Sequence, residues 1–142
     1  MKDFIICTVR GASEEYTKKL EDYVAKLEGE GHKVHLPHRD TKQDAGGYDI
    51  CMQNMIAISN ADVVHVFYNP DSQGTHFDLG VAFALNKKLL IVENIELSAG
   101  KSFARMITEW QEKGKRFGLR ELFEHEVGEH RKKQDLKDKN IH

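Results

Sequence analysis

At 142 residues the chain is long enough for one domain with a real core and too short for two of typical size. Its formal charge of −2 gives no global electrostatic reason to expect a nucleic-acid polymer or a membrane as partner, whereas a small anionic ligand stays compatible. Cys7 and Cys51 lack the number and spacing of a disulfide or zinc framework and read as buried free thiols, and with no secretory leader or membrane-length apolar run the expected location is cytoplasmic.

In chain order, Phe4 to Thr8 is a short β-branched-rich strand that ends in Arg10-Gly11-Ala12. Ser13 is placed to cap a helix from Glu14 to Glu28, in which Tyr16, Leu20, Tyr23, Val24 and Leu27 recur at helical spacing, and Gly29 or Gly31 stops it. Lys33 to Leu36 forms a second strand. Pro37 then starts a polar loop that reaches Gly46-Gly47, carries His38, and is long enough to cover a pocket. A helix from Tyr48 to Asn60 leads into a strand at Asp62 to Phe67.

The loop Asn69 to Gly74, a helix from Phe77 to Leu85 and a strand from Lys88 to Val92 complete a βαβ unit. Ser98 is a candidate cap for a helix from Gly100 to Lys113. A weak strand signal lies at Phe117 to Leu119, and Glu124 to His142 reads as a charged helix or tail outside a domain of residues 1–123. This alternation predicts an α/β fold, a doubly wound, flavodoxin- or Rossmann-like parallel sheet of about five strands with helices on both faces.

Several motifs fail on spacing. Ala99-Gly100-Lys101-Ser102 has the end of a phosphate-binding loop, but Ile95 stands where its first glycine belongs. His125 and His130 are five apart, so they do not share the helix face that two zinc ligands need, and His32, His35 and His38 alternate faces around a strand. No G-x-G-x-x-G follows the first strand and no G-x-S-x-G elbow occurs. No metal and no cofactor is expected.

In a doubly wound sheet the first strand pairs with the one two units later, which would set Thr8 to Gly11 beside Asn69 to Asp78, where ligands collect. Arg10 supplies a forked cation, Thr8 and Ser72 supply hydroxyls, and Gly11 and Gly74 permit close backbone approach, a set suited to a phosphate monoester. The alternative is a surface ion pair at Arg10 and an ordinary turn at Ser72 and Gly74. Asp78, in an apolar helix, is either a helix N-terminal charge or a reactive group, and Asp62 is either functional or a turn residue bonded to local backbone.

These segments resemble the nucleoside 2-deoxyribosyltransferase family, and most closely its relatives the 2'-deoxynucleoside 5'-monophosphate N-glycosidases. Cys7-Thr8-Val9-Arg10-Gly11-Ala12 is similar to the G-S-I-R-G-G loop of the latter, Ala61-Asp62-Val63-Val64 to an ADVVV strand, and Ser72 to Gly80 to a G-T-x-x-E-L-G segment. The resemblance implies that Asp78 is the nucleophile that attacks the anomeric carbon, in a position where the family usually has Glu. It also implies that Asp62 orients substrate or assists proton transfer to the departing base, and that Thr8, Val9, Arg10, Gly11, His38, Ser72 and Gly74 bind substrate. Serine at position 72, where nucleoside-using members carry an acid, implies a 5'-monophosphate.

The activity implied is cleavage or transfer of the N-glycosidic bond of a (deoxy)nucleoside 5'-monophosphate. The alternative is a catalytically weak nucleotide-binding or sensing module of the same fold, since Asp reaches about one C–C bond less far than Glu. The expected partners are the small-molecule nucleotide and, as the resemblance implies, a second copy of the chain: relatives complete the pocket with a hydroxyl residue from a neighbouring subunit, and the matching position near Lys101 to Ile107 is Ser102 or Ala104.

Overall fold

The computed structural model of the chain describes residues 1–93, 95, 102–114 and 131–139. Its elements are β1 (Lys2–Ile6), α1 (Glu14–Gly29), β2 (Lys33–His35), α2 (Pro37–Asp40), α3 (Gly47–Asn60), β3 (Val63–Val66), α4 (Gln73–Ala84), β4 (Lys88–Ile91) and α5 (Phe103–Lys113). Residues 131–139 are helical and exposed. Four parallel strands lie in the order β2-β1-β3-β4, with Phe4 opposite His35 on one side and Val64 on the other. The described sheet thus has four strands where about five are predicted, and the Phe117 to Leu119 signal falls outside the described residues.

Side-chain alternation along β1 assigns the two faces of the sheet. Phe4 and Ile6 pack with Ile58 of α3, Leu79 and Ala82 of α4, and Ile107 and Trp110 of α5, whereas Ile5 and Cys7 pack with Leu20 and Val24 of α1. All four residues of β3 are buried, as a strand covered on both faces requires. The chain winds outward from β1 to β2, returns to β3 beside β1, and continues to β4. The switch point therefore lies outside the C-terminal ends of β1 and β3, where such sheets bind ligands.

Local chemistry explains the helix boundaries. Ser13 caps α1 by accepting from the Tyr16 N–H at 3.0 Å. The helix ends where Gly31 adopts φ +93° and the His32 N–H returns to the Leu27 carbonyl at 3.1 Å, a closure that a side chain at position 31 would strain. Pro37 starts a helical turn rather than a loop, because its φ suits the first helical position and the Asp40 carboxylate reaches back to the Leu36 N–H at 2.9 Å. α4 begins four residues before Phe77, since the Ser72 hydroxyl accepts from the Thr75 N–H at 3.2 Å. Ser102 plays the same part for α5, which begins at Phe103, three residues later than Gly100, and Ser98 lies outside the described residues. Among the described residues no helix is long and apolar enough to cross a membrane.

Candidate active site

The two loops predicted to meet at the switch point do meet. Thr8 follows β1, and its hydroxyl accepts from the Asn69 amide at 3.0 Å across the gap to the loop after β3. The side-chain amide oxygen of Asn69 in turn accepts from the Asp71 N–H at 3.0 Å, which shapes that loop. Between the loops lies a cavity of about 400 Å³, lined by Thr8, Gly11, Ser13, Tyr16, Tyr68, Asn69 and Glu93 among others. Tyr16 reaches into it from α1, and its hydroxyl lies 3.4 Å from the Thr8 N–H.

The remaining residues of the first loop are arranged for access. Val9 is half-buried and its carbonyl accepts from Ala12 N–H at 3.4 Å, while Arg10 stands exposed at the turn. Gly11 adopts φ +70°, which a side chain would strain even though the space around it is open. Across the gap Ser72 and Gly74 stand at the start of α4 rather than in a free loop. Ser72 uses an oxygen lone pair on Thr75 and keeps its own O–H to donate elsewhere. A Cβ at Gly74 would come 4.0 Å from Ser72 Oγ, so even a methyl group would stand beside that hydroxyl.

Asp78 sits in the second turn of α4 and is only 8 % exposed. Burial pushes its carboxyl up to about 7, against the opposing effect of a hydrogen bond from the Asn54 side chain of α3. Cys7, at the end of β1, lies near enough to feel that charge; burial first, then Asp78, pushes its thiol up to about 12, so it stays protonated. His38 projects from α2 with Nδ1 3.7 Å from Cys7 Sγ, and burial lowers its pKa, which favours the neutral ring. The site therefore surrounds one carboxylate with a neutral amide and a neutral thiol.

Asp62 is not part of this arrangement. It precedes β3, so it stands at the N-terminal edge of the sheet, whereas Thr8, Asn69 and the start of α4 stand at the C-terminal edge. Its carboxylate accepts from the Lys2 N–H at 2.9 Å, and its N–H donates to the Lys2 carbonyl at 2.7 Å. Asp62 is exposed, and the Lys2 N–H is the main influence holding its pKa down. The expectation of a substrate-orienting or proton-transferring Asp62 gives way to its local-backbone alternative: it stitches β3 to β1.

Asn54 was not singled out from the sequence, whereas His76 belongs to the segment Asn69 to Asp78 expected at the switch point. Asn54, at the position that contacts Asp78, shares a row at i, i+4 spacing with Ile50 and Ile58 on the inward side of α3, and a lone amide in such a row was the available signal. His76 donates from Nδ1 to the Ser72 carbonyl at 2.7 Å, lies 3.0 Å from the Tyr68 hydroxyl through Nε2, and meets the Phe103 ring edge-on at 4.8 Å between centroids. This braces the start of α4 against β3 and α5. Among the described residues no group of three or more His, Cys, Asp or Glu side chains is placed to hold a metal ion.

The sequence profile described as nucleoside 2-deoxyribosyltransferase matches residues 7–136. Three solved structures share the fold. A CMP N-glycosidase of Clostridium botulinum is 25 % identical with a TM-score of 0.52, over 64 % of this chain and 70 % of that one. A 2-deoxyribosyltransferase of Bacillus psychrosaccharolyticus is 19 % identical with a TM-score of 0.57, over 86 % and 96 %. A Leishmania mexicana enzyme of the same kind is 22 % identical with a TM-score of 0.52, over 63 % and 62 %. No curated protein sequence matches significantly.

Proposed function

Because the chain belongs to the nucleoside 2-deoxyribosyltransferase family, we propose that it cleaves or transfers the N-glycosidic bond of (deoxy)nucleoside 5'-monophosphates, with Asp78 as nucleophile. The observation that carries this reading is a buried carboxylate at the switch point whose described neighbours are neutral. Ionised Asp78 attacks the anomeric carbon of the sugar; the bond to the base breaks, the base leaves with the electron pair and takes up a proton, and a glycosyl ester remains. Water or an acceptor base then attacks the same carbon and releases the carboxylate.

The 5'-phosphate is assigned to Thr8, Arg10, Gly11, Ser72 and Gly74. Supporting this are the cavity between the two loops, which Thr8 and Gly11 line, the exposed Arg10 beside them in sequence, and the Ser72 hydroxyl at the N-terminus of α4, where the helix dipole favours an anion. The likeness to a CMP N-glycosidase, a monophosphate-using protein by its name, points the same way. Val9 and His38 are read as further substrate contacts, Val9 through the loop backbone and His38 through the cover that α2 lays over Cys7.

The same reading includes a homodimer. α4 is apolar nearly all round, and it leaves Phe77 and Phe83 53 % and 60 % exposed. A second copy is read as covering this face, and Ser102 at the start of its α5 as the residue that completes the pocket. The charged segment 124–142 is read as an appendage to the catalytic domain of residues 1–123, and the protein as cytoplasmic.

The test is base release from a panel of deoxynucleoside and ribonucleoside 5'-monophosphates, followed by chromatography. Release is expected from at least one compound. Binding without release from any member would establish the nucleotide-sensing alternative instead. Arg10→Ala should weaken monophosphate binding about 10-fold or more while free nucleosides bind nearly as before; equal losses would move the phosphate elsewhere.

A further inference from the structure

We propose that Asn54 is a positioning residue for the Asp78 carboxylate, its amide held in one orientation by a one-way hydrogen-bond chain that starts at His35 and passes through Thr41. The inference rests on the reading of Asp78 as nucleophile. The chain crosses four parts of the fold: His35 ends β2, Thr41 follows α2, Asn54 lies mid-way along α3, and Asp78 belongs to α4. Thr41, Asn54 and Asp78 are 4 %, 8 % and 8 % exposed, so water has little part in satisfying them.

The direction follows from which groups can donate. The Asn54 carbonyl oxygen lies 2.6 Å from Thr41 Oγ1, and an amide oxygen only accepts, so the threonine spends its single proton there. Thr41 Oγ1 must then accept from His35 Nε2, 2.8 Å away. Burial lowers the His35 pKa, which favours the neutral ring, and that ring stacks on Phe4 with centroids 5.3 Å apart and planes 11° from parallel. With its oxygen held by Thr41, Asn54 presents its NH₂ to Asp78. The flipped amide would set an acceptor against a carboxylate and break the bond to Thr41, so one orientation persists.

This donor does two things for the carboxylate. It occupies one oxygen and so fixes the plane of the group, which matters more for Asp than for the longer Glu, since misplacement by about 1 Å can cost about 100-fold. It also favours the ionised form, opposing burial. The other titratable groups near this chain, among the described residues, are Cys7 of β1 beside Asp78, His38 of α2 behind Cys7, and Asp40 and Arg39 acting on His35.

The experiment is a ¹³C NMR titration of the Asp78 carboxyl carbon, assigned by its loss in Asp78→Asn, in wild type, Asn54→Leu, Thr41→Val and Thr41→Ser, with folding checked by circular dichroism. The midpoint should rise by about one pH unit in Asn54→Leu, by less in Thr41→Val, and hardly at all in Thr41→Ser, which keeps the hydroxyl. With a turned-over nucleotide, kcat of Asn54→Leu at pH 7 should fall at least about fivefold while KM stays within about twofold. A midpoint unmoved in folded Thr41→Val and Asn54→Leu, or moved as far by Thr41→Ser as by Thr41→Val, overturns the proposal. The titration needs no substrate, so absence of turnover would count against the glycosidase reading alone.

Discussion

Asp3 and Asp78 are both buried carboxylates beside the same sheet, yet their surroundings set them to opposite tasks. Asp3, in β1, faces α1 and is met by two histidines: His32 Nδ1 bonds its Oδ2, and His65 Nε2 lies 3.1 Å from its Oδ1. Tyr23 of α1 and His65 Nδ1 lie 2.7 Å apart and extend the network. Asp78, at the switch point, meets an amide and a thiol. Burial alone therefore does not make a carboxylate reactive. A carboxylate with basic partners ties elements together, whereas one held by neutral groups keeps its charge, once ionised, available for chemistry.

Exchanging the two roles is the most severe test. Asp78→Asn should abolish base release by about 10³-fold or more while the fold and nucleotide binding survive, measured by chromatography beside a binding titration. Asp3→Ala should do the reverse, lowering stability by about 3 kcal/mol in urea unfolding because it leaves two part-buried or buried histidines without their partner, with turnover per folded molecule retained. If Asp3→Ala instead lost turnover at unchanged stability, the division between the two carboxylates would collapse.

The pH dependence sharpens the contrast. Native Asp78 holds its proton up to about 7, whereas in the unfolded chain it releases it at an ordinary carboxylate value near 4. The stabilisation from that proton is present below pH 4 and is lost as pH rises to 7, an effect of up to roughly 4 kcal/mol. Base release should rise across the same upper range, as the nucleophile ionises, so activity and this part of stability run in opposite directions. Unfolding of wild type and Asp78→Asn compared at pH 5 and pH 8 reads the stability half. The smallest effect belongs to Asp62→Ala, expected to leave turnover unchanged and to loosen only the β1 and β3 edge, seen as faster amide exchange at Lys2.

Much of this was legible in the chain. Strand-and-helix alternation, the valine-rich Val63–Val66 strand and the Ser13 cap each rest on local patterns that the folded environment reinforces. The placing of Asp62 was legible too, because a residue before a strand stands at the opposite end from residues after it, but its match to a motif outweighed that geometry. The early start of α4 was missed because Ser72 and Gly74 read as turn residues, and a serine cap and a serine turn use the same side-chain oxygen.

By itself the sequence determined the sheet type, the pairing of β1 with β3, and the loop from Thr8 to Gly11 opposite the segment from Asn69 to Asp78. These follow from periodicity and winding, which act over short range or through simple topology. Only the tertiary structure decided that Asn54, Thr41 and His35 stand in line behind Asp78, that Cys7 lies beside it, and that Asp3 has histidines where Asp78, among the described residues, has an amide and a thiol. Hydrogen bonds and desolvation depend on which side chains converge in space, and residues 35, 41, 54 and 78 converge only after β2, α2, α3 and α4 have packed.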